Sequence, residues 1–347
     1  MRSHTVEQEH FMGGLIQASA RALAVVAISS AAATAQAAGL SGTLIVTNKT
    51  PNTATIIDVA SGRALATLPT GIGPHEVVVS TDGRVAVVTD YGGPMRRTLT
   101  VIDVPGLKVT RTIDLGGYTA PHGIVFLPRS ADSLVVVTSE TTNNIIVVNI
   151  KTGDVANSVA TIGQYPHMVG VTGDGARAYT GNMRSNTVSE MDLRTGLFTR
   201  SWEVPTTPEA INVTSDGKEV WVGSNATGKV TVVDPATGAM VVAAEGVQFP
   251  YRMAFTPDLK TAIIPDARGE EVRFLDRATK KELGRIPMPG AGPQGIIISP
   301  DGRYAFQSLS TQARVAIIDI ASRTVVRQLD AGLTPDGVAY TTRVVAR

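Results

Sequence analysis

His75, His122 and His167 each follow a proline, in GIGPHEVVV, APHGIVF and YPHMVGV, and Glu209 follows the next equivalent proline in PEAINV. Imidazole and carboxylate groups exchange protons near neutral pH and hold divalent metals, so their chemistry depends on whether folding gathers them. Three readings fit the same residues. As a metal centre, three imidazoles and a carboxylate suit zinc, iron(II) or manganese, and an open position would allow catalysis. Without metal, the histidines act as general base and ligand-orienting donors in a polar pocket. In the plainest reading the proline sets a loop, and the polar side chain satisfies backbone groups at a wet surface.

The element that must gather them is a repeat. Prolines before an apolar run recur at 74, 121, 166, 208, 250, 293 and 335, at spacings of 47, 45, 42, 42, 43 and 42 residues. Each copy reads as an apolar run, a turn such as STDG or SPDG, a second run ending in VVTD, YTGN or IIPD, a third such as TLTVID, a TG-type turn and a fourth run. Four short strands every 42 or so residues, with no long helical pattern after residue 40, predict an all-β, seven-bladed β-propeller of four-stranded antiparallel blades. Residues 43–69 supply strands B, C and D without an A, and PDGVAYT supplies an A with little after it. The ring therefore closes by pairing N-terminal strands B, C and D with C-terminal strand A, which leaves no free sheet edge round the circuit.

In that architecture strand A lines the channel, and the D-to-A and B-to-C loops share one face. The residue after each proline sits at the channel mouth: His75, His122, His167, Glu209, Tyr251, Gln294 and Asp336, all able to hydrogen-bond. A second ring from the ends of strand B includes Asp90, behind His75, Glu140, behind His122, and Asp266. A carboxylate behind an imidazole fixes its tautomer and raises its basicity. The insertion YGGPMRR brings Arg96 and Arg97 to the same face as a clamp for an anionic ligand, with a solvated loop tip as the plainer reading. Arg252 stands where a small residue usually follows the ring position, and reads as closing the mouth, binding a carboxylate or stacking on Tyr251. The aspartates ending strands C, among them Asp58 and Asp192, recur too regularly to be anything but turn-formers.

IVTN at 45–48, with VVTD, YTGN and VGSN as variants, and the SPDG turns resemble the YVTN-repeat propellers, the family of YncE-like periplasmic proteins. The resemblance covers residues 40–345 and implies the fold. Function is less constrained, since such repeats occur in binding proteins, surface-layer proteins and relatives of lactonases. Pro-His before strand A is also similar to propeller lyases of the virginiamycin B lyase type, in which such histidines serve as magnesium ligand and general base. The Trp-Phe-Thr-Glu strand ends of those lyases are absent, so the substrate does not carry over, and only Glu140 falls near the corresponding glutamate.

Composition narrows the partners. Lys plus Arg is 31 against 30 Asp plus Glu, so no global field favours nucleic acid or an anionic surface, although DNA binding is reported among relatives. The absence of cysteine excludes disulfides, thiolate metal sites and cysteine nucleophiles. No Walker loop, dinucleotide fingerprint, HExxH or nucleophile elbow occurs, so no nucleotide cofactor is expected. Arg21 followed by ALAVVAISSAAATAQAAG, with Ala35-Gln36-Ala37 as an A-x-A site, reads as a secretory signal over 1–37, with Met12 as an alternative start and a membrane anchor as the competing reading. The expectation is a periplasmic or secreted monomeric propeller over 38–347 with no integral membrane contact. It binds a small molecule, metal ion or protein partner at its mouth, or acts as a metal-dependent lyase or hydrolase with the same residues.

Overall fold

The computed structural model describes residues 39–93 and 96–345. Its 28 strands form seven four-stranded antiparallel sheets arranged as a seven-bladed propeller. Blades 2 to 7 run in chain order over residues 74–114, 121–160, 166–203, 208–244, 254–287 and 293–330. Blade 1 joins strands Thr43–Asn48, Thr53–Asp58 and Ala64–Pro69 to the last strand, Pro335–Thr341, which pairs with Thr43–Asn48 through Thr43↔Thr341 and Leu44↔Tyr340. The ring closes by the predicted permutation. Among the described residues no helix is long and apolar enough to cross a membrane. The segment before residue 39, which contains the candidate signal, lies outside the described residues.

Burial explains why strands B and C read as apolar runs. Each blade is sandwiched between two neighbours, so both faces of strands such as Leu134–Ser139 and Asn144–Asn149 are covered, and the core lies in layers between blades. Strands D lie outermost and alternate toward solvent. Asp58, Asp103, Asp192, Asp234, Asp276 and Asp319 accept backbone N–H groups of the following turn, as their repetition predicts. Trp221 is fully buried against Phe255 of the next blade, and Trp202 stacks on Tyr179 of its own.

Near the axis the inner strands crowd. A Cβ on Gly123 would fall 2.7 Å from Val169 N, and one on Gly337 2.5 Å from His75 O, so neighbouring strands A touch there backbone to backbone. Blade 6 departs from the pattern: its strand A shrinks to Ala254–Phe255, and Pro250 pairs only as an isolated bridge with Asp266.

Candidate functional site at the channel mouth

The fold brings the three histidines together through the repeat motif itself. The threonine that precedes the strand-end residue in IVTN, VVTD and VVTS donates to the backbone carbonyl of the next blade's histidine. Thr47 Oγ1 donates to His75 O at 2.7 Å, Thr89 Oγ1 to His122 O at 3.0 Å, and Thr138 Oγ1 to His167 O at 2.7 Å. Three imidazoles thus stand side by side, with ring centroids 4.9 Å apart for His75 and His122 and 3.8 Å apart for His122 and His167.

His167 is the charged centre of the row. Its Nδ1 lies 2.5 Å from Glu140 Oε1 and its Nε2 2.8 Å from Glu209 Oε1. Burial pushes its pKa down, but the Glu209 and Glu140 carboxylates outweigh it and hold the ring protonated, with a pKa of about 9. The same pairing, helped by Arg252, brings Glu209 down to about 2 against the opposing effect of burial. The other two rings are neutral. Burial lowers His75 to about 4, and burial together with the His167 charge drives His122 well below the ordinary imidazole value. His75 Nδ1 lies 2.9 Å from Gly73 O, a pure acceptor, so Nδ1 carries the proton and Nε2 keeps its lone pair. His122 is 2% exposed, and its buried Nδ1 has no hydrogen-bond partner.

Glu140 serves the blade beyond its own. It reaches His167 rather than His122, while its Oε2 accepts from Tyr91 Oη at 2.7 Å, and Tyr91 Oη lies 3.0 Å from Tyr165 Oη. The expectation of a carboxylate behind each imidazole therefore shifts by one blade for Glu140 and does not describe Asp90. Asp90 is buried in its own loop, accepting from Gly71 N, Thr98 and Thr100, and Asp266 likewise accepts from Gln248 N, Phe249 N and Gly269 N. Strand-end carboxylates fasten the D-to-A and B-to-C loops, and the residue one step later, as in Lys49, Tyr91 and Glu140, reaches the mouth.

The far side of the mouth is held by ion pairs. Arg252 crosses the channel to Glu76 of blade 2, with Nε 2.8 Å from Glu76 Oε1, and stands 3.5 Å from Glu209 Oε1. Its guanidinium is bound by both carboxylates and also lies over the Tyr251 ring, 4.3 Å from the centroid. Lys49 Nζ sits 2.8 Å from Asp336 Oδ2 and donates to Tyr251 Oη at 3.1 Å. Asp336 Oδ1 and Gln294 Oε1 are buried without hydrogen-bond partners, so the ring position carries several unsatisfied polar atoms at once. Of the two loop arginines, Arg97 is spent on Asp114 at 2.9 Å, whereas Arg96 lines a cleft of about 420 Å³ between blades 3 and 4, floored by Glu140 and flanked by Tyr165 and Arg184.

Sequence reasoning missed Glu76, Lys49, Tyr91, Tyr165 and Arg184. A signal existed for the first: Glu76 and Arg252 both occupy the position that is glycine at 123, 295 and 337 and alanine at 210. Two long charged side chains at a crowded axis must find each other or stay uncompensated.

Among the described residues, His122, Glu140 and His167 form a group able to hold a metal ion, their donor atoms lying within 4.8 Å of one another. His75 and Glu209 stand beside this group, Glu209 already neutralised by His167 and Arg252. Two imidazoles and a carboxylate are a donor set for zinc, iron(II) or manganese and a poor one for magnesium, which prefers oxygen.

A closed seven-blade ring with a polar, ionised mouth defines a β-propeller of the binding or catalytic kind. Residues 17–132 and 129–244 match the YncE-like β-propeller family, and the chain belongs to it. Among solved structures, the hydrazine synthase of Kuenenia stuttgartiensis superposes with a TM-score of 0.70 at 20% identity, covering 81% of this chain and 93% of that one, a likeness of fold. No curated protein matches the sequence.

Proposed function

We propose that this protein is an exported binding propeller whose mouth takes a divalent transition-metal ion on His122, Glu140 and His167. The orphaned, buried Nδ1 of a neutral His122 carries the reading. Leaving such an atom unpaired costs about 1–3 kcal/mol, and a cation between it and Glu140 would satisfy it. With bonds of about 2.1 Å, donors on one tetrahedral ion lie about 3.4 Å apart, so separations of up to 4.8 Å in the group must shrink by as much as about 1.4 Å, while His167 Nδ1 and Glu140 Oε1, 2.5 Å apart, must move apart. His167 must also give up a proton, so metal uptake releases protons and weakens in acid.

Metal content of protein loaded with zinc, manganese or iron(II) tests this. We expect close to one ion per chain in the wild type and loss of that ion in His122→Ala. Equal, near-zero content in both overturns the reading. A metal-assisted lyase or hydrolase is the second reading, favoured by the cleft that opens onto Glu140, because three protein ligands leave a coordination position for substrate. It predicts turnover that disappears with the ion. Export after Ala37 is tested by the N-terminal sequence of protein recovered outside the cytoplasm.

A further inference from the structure

We propose that the cleft between blades 3 and 4 is a second subsite, which binds a compact oxyanion: the carboxylate or phosphate group of a small solute. Two cations flank it without a mate. Among the described residues neither Arg96 nor Arg184 forms an ion pair, although most other arginines of the chain do. Arg184 lies over the Tyr165 ring, its guanidinium carbon 4.4 Å from the centroid, a contact that restricts the side chain before any ligand arrives. Planar forks of this kind match carboxylate and phosphate oxygens in pairs.

The acidic floor does not oppose an anion as an isolated carboxylate would. Glu140 is fully buried, one oxygen lies 2.5 Å from His167 Nδ1, and the other accepts from Tyr91 Oη, so both are occupied within the protein. Asn143 spends its side-chain oxygen on Tyr165 N at 2.9 Å, which leaves its amide NH2 group as a neutral donor in the same wall. The cleft volume of about 420 Å³ is in the range of small-molecule sites, so the anionic group would anchor a solute that extends toward the histidine row.

The test is calorimetric titration of the full chain with inorganic phosphate and, separately, with succinate, at low ionic strength and with a chelator present. The expected result is saturable binding of at least one anion, weakened at least tenfold in Arg96→Gln and in Arg184→Gln. Arg84→Gln, in a turn on the opposite face, removes the same charge and is expected to change nothing. The arm that binds more tightly assigns the group as phosphate or carboxylate. Absence of binding by both anions overturns the proposal, as does equal weakening by Arg84→Gln, which would mean unspecific attraction. Because the chelator removes any ion, this outcome is independent of the metal reading.

Discussion

Blade 4 carries a cleft on each face, and the two are built from similar parts to opposite ends. On the face away from the mouth, a cleft of about 490 Å³ is lined by Arg177, Arg200 and Tyr179, and both arginines turn back onto the buried carboxylate of Glu190. On the mouth face, Glu140 is buried just as deeply, but it is satisfied by His167 and Tyr91, so Arg96 and Arg184 keep their charge for something else. One carboxylate between two cations completes itself. One cation between two carboxylates, beside an imidazole with an unpaired nitrogen, does not. Burial of charge alone therefore does not mark a site; what marks it is whether the partners are used up.

That difference can be broken at several points. The largest effect is expected from Arg252→Ala, which leaves Glu76 and Glu209 facing each other in a buried mouth: a loss of about 3–5 kcal/mol in urea unfolding, with the denaturant slope unchanged. Next comes pH, in metal-stripped protein. Below the unfolded pKa of about 6.5 an unfolded chain takes up protons that native His75, held to about 4, refuses, so stability present above pH 6.5 is lost by about 3 kcal/mol as pH falls to 4. His167 has the opposite sign: its contribution is full below pH 6.5 and fades as pH rises through about 9, and His167→Gln should remove that alkaline limb alone. The wild type should accordingly be most stable near pH 6.5, measured by thermal unfolding across the series.

Glu190→Gln sharpens the contrast between the faces. It should cost only about 1–2 kcal/mol, because the side chains of Arg177 and Arg200 are 39% and 44% exposed and can rehydrate. It should also turn the closed cleft into an anion site, seen as new phosphate binding that Arg200→Gln abolishes. The smallest effect is expected from Thr89→Val, about 0.5–1.5 kcal/mol, with the ring signals of His122 shifting in NMR while the Tyr179 ring signals in the Glu190 cleft stay in place.

The fold was legible because one proline, one apolar run and one turn recur seven times, and repetition at that period has few architectures to go to. The ring position was legible for the same reason: strand parity alone puts His75, His122, His167 and Glu209 on one rim. Pairings were not. Glu76 and Arg252 lie 176 residues apart and meet across the axis, which depends on which blades face one another and on the reach of the side chains. Glu140 chose the neighbouring blade's histidine because each strand B leans on the next blade's strand A, and the threonines of IVTN, VVTD and VVTS record that lean in the sequence. At the matching position blades 4, 5 and 6 have Gly181, Gly223 and Pro265, so the threonine latch occurs only behind the blades that carry histidine. Asp90 and Asp266 misled because a carboxylate at a strand end looks the same in sequence whether it holds a loop or a ligand.

The shared first blade has a temporal side. Lys49 and Asp336 are separated by nearly the whole chain, yet they meet at 2.8 Å in the mouth, and they can do so only once Pro335–Thr341 has docked beside Thr43–Asn48. The last strand of the propeller in chain order is thus the one that finishes both the circle and the rim. A chain caught before that moment, whether nascent or in transit, would lack the Lys49–Asp336 side of the rim and leave Lys49 without its carboxylate.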